Sequence, residues 1–179
     1  MNIFFLDRDP RVAAEYHCDK HCVKMITEYA QILSTVLRST GVSNDYTYRK
    51  THENHPCTRW AAQSLAHWRW LRQLALFLSQ EYVRRYGRIH LATRKLWLMP
   101  RQPCLIDYGW LSDPPQVTGS VPAMADTVEA YRQCYAKDKA SFVTWKNGDP
   151  WWFWPTRMFV ALLEEQRELA ESERTLPTV

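Results

Sequence analysis

Between Pro10 and Arg38 the chain runs without a glycine or a further proline, and the stretch from Cys57 to Tyr86 does the same. Runs of that length without either breaker leave no room for the corners that short strands need, so both are expected to be helices. Asp9 before Pro10 supplies an N-cap followed by proline at the first helical position, which starts the first helix at Pro10 and carries it to about Arg38. Gly41 with Ser43-Asn44-Asp45 ends it as a loop. Pro56 or Cys57 starts the second helix, Gly87 stops it after Tyr86, and His90 to Leu98 can resume it. Pro100, Pro103, Pro114, Pro115 and Pro122 make Met99–Pro122 a long loop wrapped over the helices. A third helix is expected from Ala123 to Phe142. After the aromatic turn Trp145 to Pro155, a last helix runs from Thr156 to about Glu173.

A chain of 179 residues buries one good core but is short for two domains. Only five glycines, set against 46% apolar residues, nine Trp, nine Tyr and six Phe, argue against disorder and against a turn-rich β architecture. The expectation is therefore a mainly α protein: a single compact helical domain over 1–174, with two long N-terminal helices, the Pro-rich loop and two C-terminal helices. Residues 175–179 are expected to fray. The sequence holds no apolar run long enough to span a membrane, and its first residues, MNIFFLDRDP, lack the pattern of a secretory signal. A cytoplasmic location without a membrane partner is expected. Five cysteines without a C-x-x-C pair point to reduced thiols, not to disulfides or a thiolate zinc site. The net charge of +4 permits a nucleic-acid partner without demanding one.

At 100° per residue, His17, His21, Lys24, Glu28 and Gln31 fall within an arc of roughly 80° on the first helix. Cys18, Cys22, Met25, Ile26, Tyr29 and Leu33 form the apolar stripe opposite. A merely solvated face mixes Glu, Lys and Arg. Two histidines four apart, with a lysine, a glutamate and a glutamine, are instead groups for proton transfer and hydrogen-bonded recognition. The loop Tyr48-Arg49-Lys50-Thr51-His52-Glu53-Asn54-His55-Pro56 can fold back onto that face. His52 and His55 are then further candidates for catalysis, and Arg49 and Asn54 for substrate binding. On the second helix Tyr82, Arg85 and Tyr86 can line a phosphate-binding rim, whereas His67 reads as a core histidine with satisfied bonds. The histidine pair His17 and His21, completed by His52 and His55, could also grip a metal ion, but Lys20 or Lys24 would set an ammonium beside the cation. Neither a metal nor an organic cofactor is therefore assigned.

The strings MNIFFLDRDP, YHCDKHCVKM, THENHPCTRWA, EYVRRYGRIH and YRQCYAKDKASFVTWKN, in that order over residues 1 to 147, resemble small phage-encoded proteins described as pyrimidine-dimer DNA glycosylase-like. They are distantly similar to helical glycosylases of the endonuclease V type. The resemblance implies an enzyme that flips a modified or damaged pyrimidine out of DNA and attacks its sugar carbon through an amine, with a carboxylate assisting. It also implies a host-cell cytoplasmic setting. Those glycosylases use the amine of a threonine exposed by loss of the initiator methionine. Here Asn2 follows Met1, and a residue of that bulk usually leaves the methionine in place. The expected imine-forming nitrogen is then that of Lys20 or Lys24, with Glu28 one turn from Lys24 moving protons and Lys20 and Gln31 also touching substrate. Two alternatives stand beside this reading. One is a thymine-hypermodification enzyme acting on activated 5-hydroxymethyluracil, with His17, Lys24, Arg49 and His52 holding a leaving pyrophosphate. The other is a DNA-binding protein without catalysis.

Overall fold

The structure, a computed structural model, describes residues 1–174, with side chains described through residue 168; the tail 175–179 lies outside the described residues. Among the described residues there are seven α-helices and no strand. They are α1 (Pro10–Tyr16), α2 (Asp19–Ser39), α3 (Pro56–Gln63), α4 (Leu65–Tyr86), α5 (Leu91–Leu98), α6 (Thr127–Asp138) and α7 (Trp154–Arg174), with a single 3-10 turn at Trp151–Phe153. Each start has a local cause. Asp9, His55, Ser64, His90 and Asp126 each accept a backbone N–H two residues on, and Pro10 and Pro56 occupy the first turns of α1 and α3. Gly87 closes α4 in the left-handed region, at φ 65°.

Both long runs are helical, but each is broken once. The first breaks at His17 and Cys18, whose backbones are extended. The carbonyls freed at the end of α1 are taken from outside: Arg85 donates to Glu15 O at 2.9 Å and to His17 O at 2.8 Å, and Trp145 Nε1 donates to Tyr16 O at 3.0 Å. Asp19 N, the first amide of α2, donates to Thr144 O. The second run breaks at Ser64, which ends α3 and caps α4. That break is sewn to the Pro-rich loop, since Leu65 N donates to Ile106 O and Tyr108 N to Ser64 Oγ.

The core forms where α4 packs on α1 and α2, with α3 and α5 against α2 and α4. Ile3–Leu6, the segment before α1, is buried with it, beside Tyr29 from α2, Trp68 from α4 and Tyr131 and Tyr135 from α6. The third helix is shorter than its sequence suggests: Ala123–Ala125 are not helical, Asp126 caps its start, and it ends at Asp138, short of Phe142. The last begins two residues early, at Trp154. None of the helices is long and apolar enough to cross a membrane among the described residues.

Candidate active site

The break after Tyr16 changes which groups of the polar face can meet. His17 drops out of that face and is fully buried. Its Nδ1 lies 2.6 Å from Ala13 O, so that nitrogen carries the proton and donates; its Nε2 then accepts from Tyr29 OH at 2.7 Å. Burial, opposed by the Ala13 bond and aided by the Arg85 charge, lowers its pKa to about 4. The expectation of a catalytic or pyrophosphate-binding His17 is corrected: it is a neutral core histidine with both nitrogens engaged.

His21 lies at the boundary between core and surface. It stacks on Phe4 with centroids 4.1 Å apart, and its Nδ1 is 2.5 Å from Tyr135 OH. Burial first, then the positive fields of His17, Lys139 and Lys24, push its pKa down to about 3. It is thus a neutral imidazole at the edge of a cationic cluster.

Lys24 and Glu28 share the α2 face turned away from Cys22 and Leu33, which meet α4 at Leu78 and Trp68. The Glu28 side chain is only 14% exposed, and each of its oxygens faces nitrogen. Lys24 Nζ lies 3.1 Å from Oε1. The Met1 amine lies 3.9 Å from Oε2, and Asn2 N donates to the same oxygen at 3.2 Å. The beginning of the chain is held there by burial of Ile3–Leu6 and by Asn2 itself, whose Nδ2 donates to Val117 O while its Oδ1 accepts from Tyr131 OH at 2.7 Å. The amine at residue 1, set aside from sequence in favour of Lys20 or Lys24, is thus placed against Glu28. The available signal was Ile3–Leu6, an apolar run that close to the first residue.

The histidine loop also reaches this face. Thr51 is tied to α2 through Thr35, whose Oγ1 accepts from Thr51 N and donates to Thr51 O. His55 caps α3, and its pKa is lowered by burial and by the charges of the Met1 amine and His52, with Glu28 opposing, which puts all three in its field. His52 occupies the left-handed region at φ 50°, with Nδ1 2.6 Å from Thr51 Oγ1. Asn54 lines a cavity of about 400 Å³ with Arg59, Trp60, Gln63, Ser112 and Pro115. Gln31 is half-buried one turn beyond Glu28.

Other expected residues lie elsewhere. Lys20 covers the Phe142 ring, with Nζ 4.5 Å from its centroid, and has no bond to Glu28. Arg49 is exposed in a cleft with Arg38, Ser43 and Lys50. Tyr82 leans on Tyr86 at 4.7 Å and lines a cavity of about 610 Å³ with Val23, Thr27, Tyr48, Arg88 and His90. Tyr86 OH bonds Asp19 O at 3.4 Å. Arg85 is a correction. Its side chain is 1% exposed and is spent on Glu81, Asp19 and the α1 carbonyls, so it has no face for a phosphate. His67 is the satisfied core histidine that was expected, bonded to Trp60 O and Leu111 N. The four histidines of the metal alternative are not gathered, and no cluster of three His, Cys, Asp or Glu suited to an ion occurs among the described residues.

A carboxylate flanked by amines is a set of groups able to exchange protons and to meet a charged substrate. The family model for pyrimidine dimer DNA glycosylase matches residues 1–94, more than half of the chain, and the protein belongs to that family. The matched span holds Lys24, Glu28, His52 and His55. No curated protein matches the chain, and no solved structure does.

Proposed function

We propose that the protein excises a damaged or modified pyrimidine from DNA after rotating the nucleotide out of the duplex, and that it does so through an imine. The observation that carries this reading is the Glu28 carboxylate with an amine against each oxygen. The Met1 side chain is 3% exposed, which fixes its amine beside the carboxylate, whereas the Lys24 side chain is 70% exposed and reaches the same carboxylate from the solvent side. The amine of the first residue is therefore the nucleophile, and Lys24 holds Glu28 in place. If Met1 is removed, Asn2 N already lies against the same carboxylate oxygen.

The nitrogen lone pair forms a bond to C1′ of the deoxyribose as the bond from C1′ to the base breaks. The departing base gains a proton, and the attacking nitrogen passes one to Glu28. Opening of the sugar ring then gives the imine, from which loss of a C2′ proton expels the 3′ phosphate. Gln31 and Asn54 carry the paired donor and acceptor suited to a pyrimidine edge. His55 and His52 stand by for proton transfer, and Lys24 and Lys139 draw the phosphates.

The test is borohydride trapping on duplexes holding a cyclobutane pyrimidine dimer or an abasic site, followed by peptide mapping of the adduct. The expected adduct is at the first residue and survives Lys24→Ala. Glu28→Gln lowers the rate by about 100-fold or more, because the amide keeps the shape but cannot carry the proton. An adduct on Lys24 overturns the choice of amine. DNA binding without any adduct or base release overturns the enzymatic reading.

A further inference from the structure

On the outward side of α4, Arg72, Leu76 and Gln80 face Trp97 near the end of α5 and Arg101 three residues beyond that helix, around a cleft of about 490 Å³. The site around Glu28 uses none of these residues. Lys24 and Glu28 lie on the side of α2 away from α4, so both helices stand between the two places.

Arg72 differs from the other packed arginines. Arg85 is paired with Glu81 and Asp19, Arg132 with Asp7 and Leu6 O, and Arg157 with Asp149 and Val143 O. Arg72 Nε is buried with no hydrogen-bond partner among the described residues, and the charge acting on it there is a second guanidinium, Arg101. Burial and that like charge together hold Arg72 below the ordinary arginine range. Among the described residues, no carboxylate lines the cleft. Two converging guanidiniums without an acid suit a phosphate, whose oxygens accept from both forks. Beside them Trp97 is 68% exposed, a large apolar ring left facing solvent at the mouth of a polar cleft.

We propose that this cleft binds a phosphorylated nucleoside, with the phosphate between Arg72 and Arg101 and the base against the Trp97 indole. Gln80 supplies a donor and an acceptor to the base edge or the sugar. A free nucleotide and the phosphorylated end of a DNA strand present the same chemistry. Neither requires the Glu28 site to act.

Calorimetric titration of the full chain with inorganic phosphate, thymidine 5′-monophosphate and a short 5′-phosphorylated thymidine oligonucleotide tests this. Saturable binding of the nucleotide or the oligonucleotide is expected, weakened about tenfold or more in Arg101→Gln, which alters an exposed residue. Trp97→Ala should weaken binding of the nucleotide and leave that of inorganic phosphate unchanged. Tighter binding of the mononucleotide supports a free nucleotide as the source, and tighter binding of the oligonucleotide a strand end. Glu28→Gln should bind in the cleft as the unmodified protein does, which keeps failure of the excision reading distinct from failure here. Equal affinity in Arg101→Gln and the unmodified protein, or no binding of any probe, overturns the proposal. Equal affinity for nucleotide in Trp97→Ala overturns the role of the ring.

Discussion

Replacing Arg85 by methionine keeps the length of the side chain and removes its charge and all its donors. In the folded protein Arg85 Nε lies 2.5 Å from Glu81 Oε1, and Nη1 lies 3.0 Å from Asp19 Oδ1. Its remaining bonds go to Glu15 O and His17 O. Removing one partner of a buried ion pair costs about 3–5 kcal/mol, chiefly through the charge left behind. The lower end applies here, since Glu81 keeps Arg84 at 2.7 Å and Asn147 at 3.2 Å, and Asp19 keeps Thr144 and Lys146 N. The two orphaned carbonyls add roughly 1 kcal/mol between them after solvent entry. The expected loss is about 4 kcal/mol, which for a chain of this size lowers Tm by about 8–16 °C. Urea and thermal unfolding followed by helix circular dichroism measure it, alongside the salt dependence of DNA affinity, which should not change. A stability loss under about 1 kcal/mol together with weakened DNA binding would refute the reasoning and return Arg85 to the phosphate rim.

Three further outcomes are expected. His17 and His21, with pKa values lowered to about 4 and about 3, bind fewer protons when folded than when unfolded. Their stabilisation is therefore present above the unfolded value and is lost as pH falls from about 6.5 toward those values, by about 2–3 kcal/mol each at pH 4.5; NMR titration of either imidazole near 6.5 contradicts this. Gly119 sits at φ 67°, and a Cβ there would lie 2.6 Å from Asp138 Oδ2, the group that holds Ser120. Gly119→Ala should thus cost about 1–3 kcal/mol in urea unfolding, and an unchanged midpoint argues against it. DNA affinity should fall steeply with salt through Arg49, Lys50, Arg84, Arg88, Arg94 and Lys95, and substituting any one of them should reduce the slope by about 1; a flat salt profile removes the claim.

The helices were legible from sequence because Asp9-Pro10, His55-Pro56 and Gly87 act locally. Neither break was. His17-Cys18 carries no glycine or proline, and what opens the helix there is Arg85, 68 residues away, taking a carbonyl that the next turn would otherwise use. Helix arithmetic carried across that hidden break put His17, a core histidine, on the polar face, and Arg85 was read as a rim residue because its partners Glu15, His17 and Asp19 lie far from it along the chain. Lys24, Glu28 and Gln31 lie within one uninterrupted helix, so their shared face was readable. The placement of the first amine was not, because it depends on Val117 and Tyr131, which meet Asn2 only in the folded chain.

The pinned beginning of the chain bears on how the protein is handled in the laboratory. Met1 has a side chain only 3% exposed, and the atoms that follow it are tied to α2, α6 and the Pro-rich loop. A purification tag fused ahead of Met1 would turn its amine into an amide and force added residues through a packed seam. With that amine as the nucleophile proposed above, such a preparation would read as inactive for reasons unrelated to the native protein. A tag placed after residue 179 leaves that seam intact, and activity compared between the two fusions separates a silent protein from a silenced one.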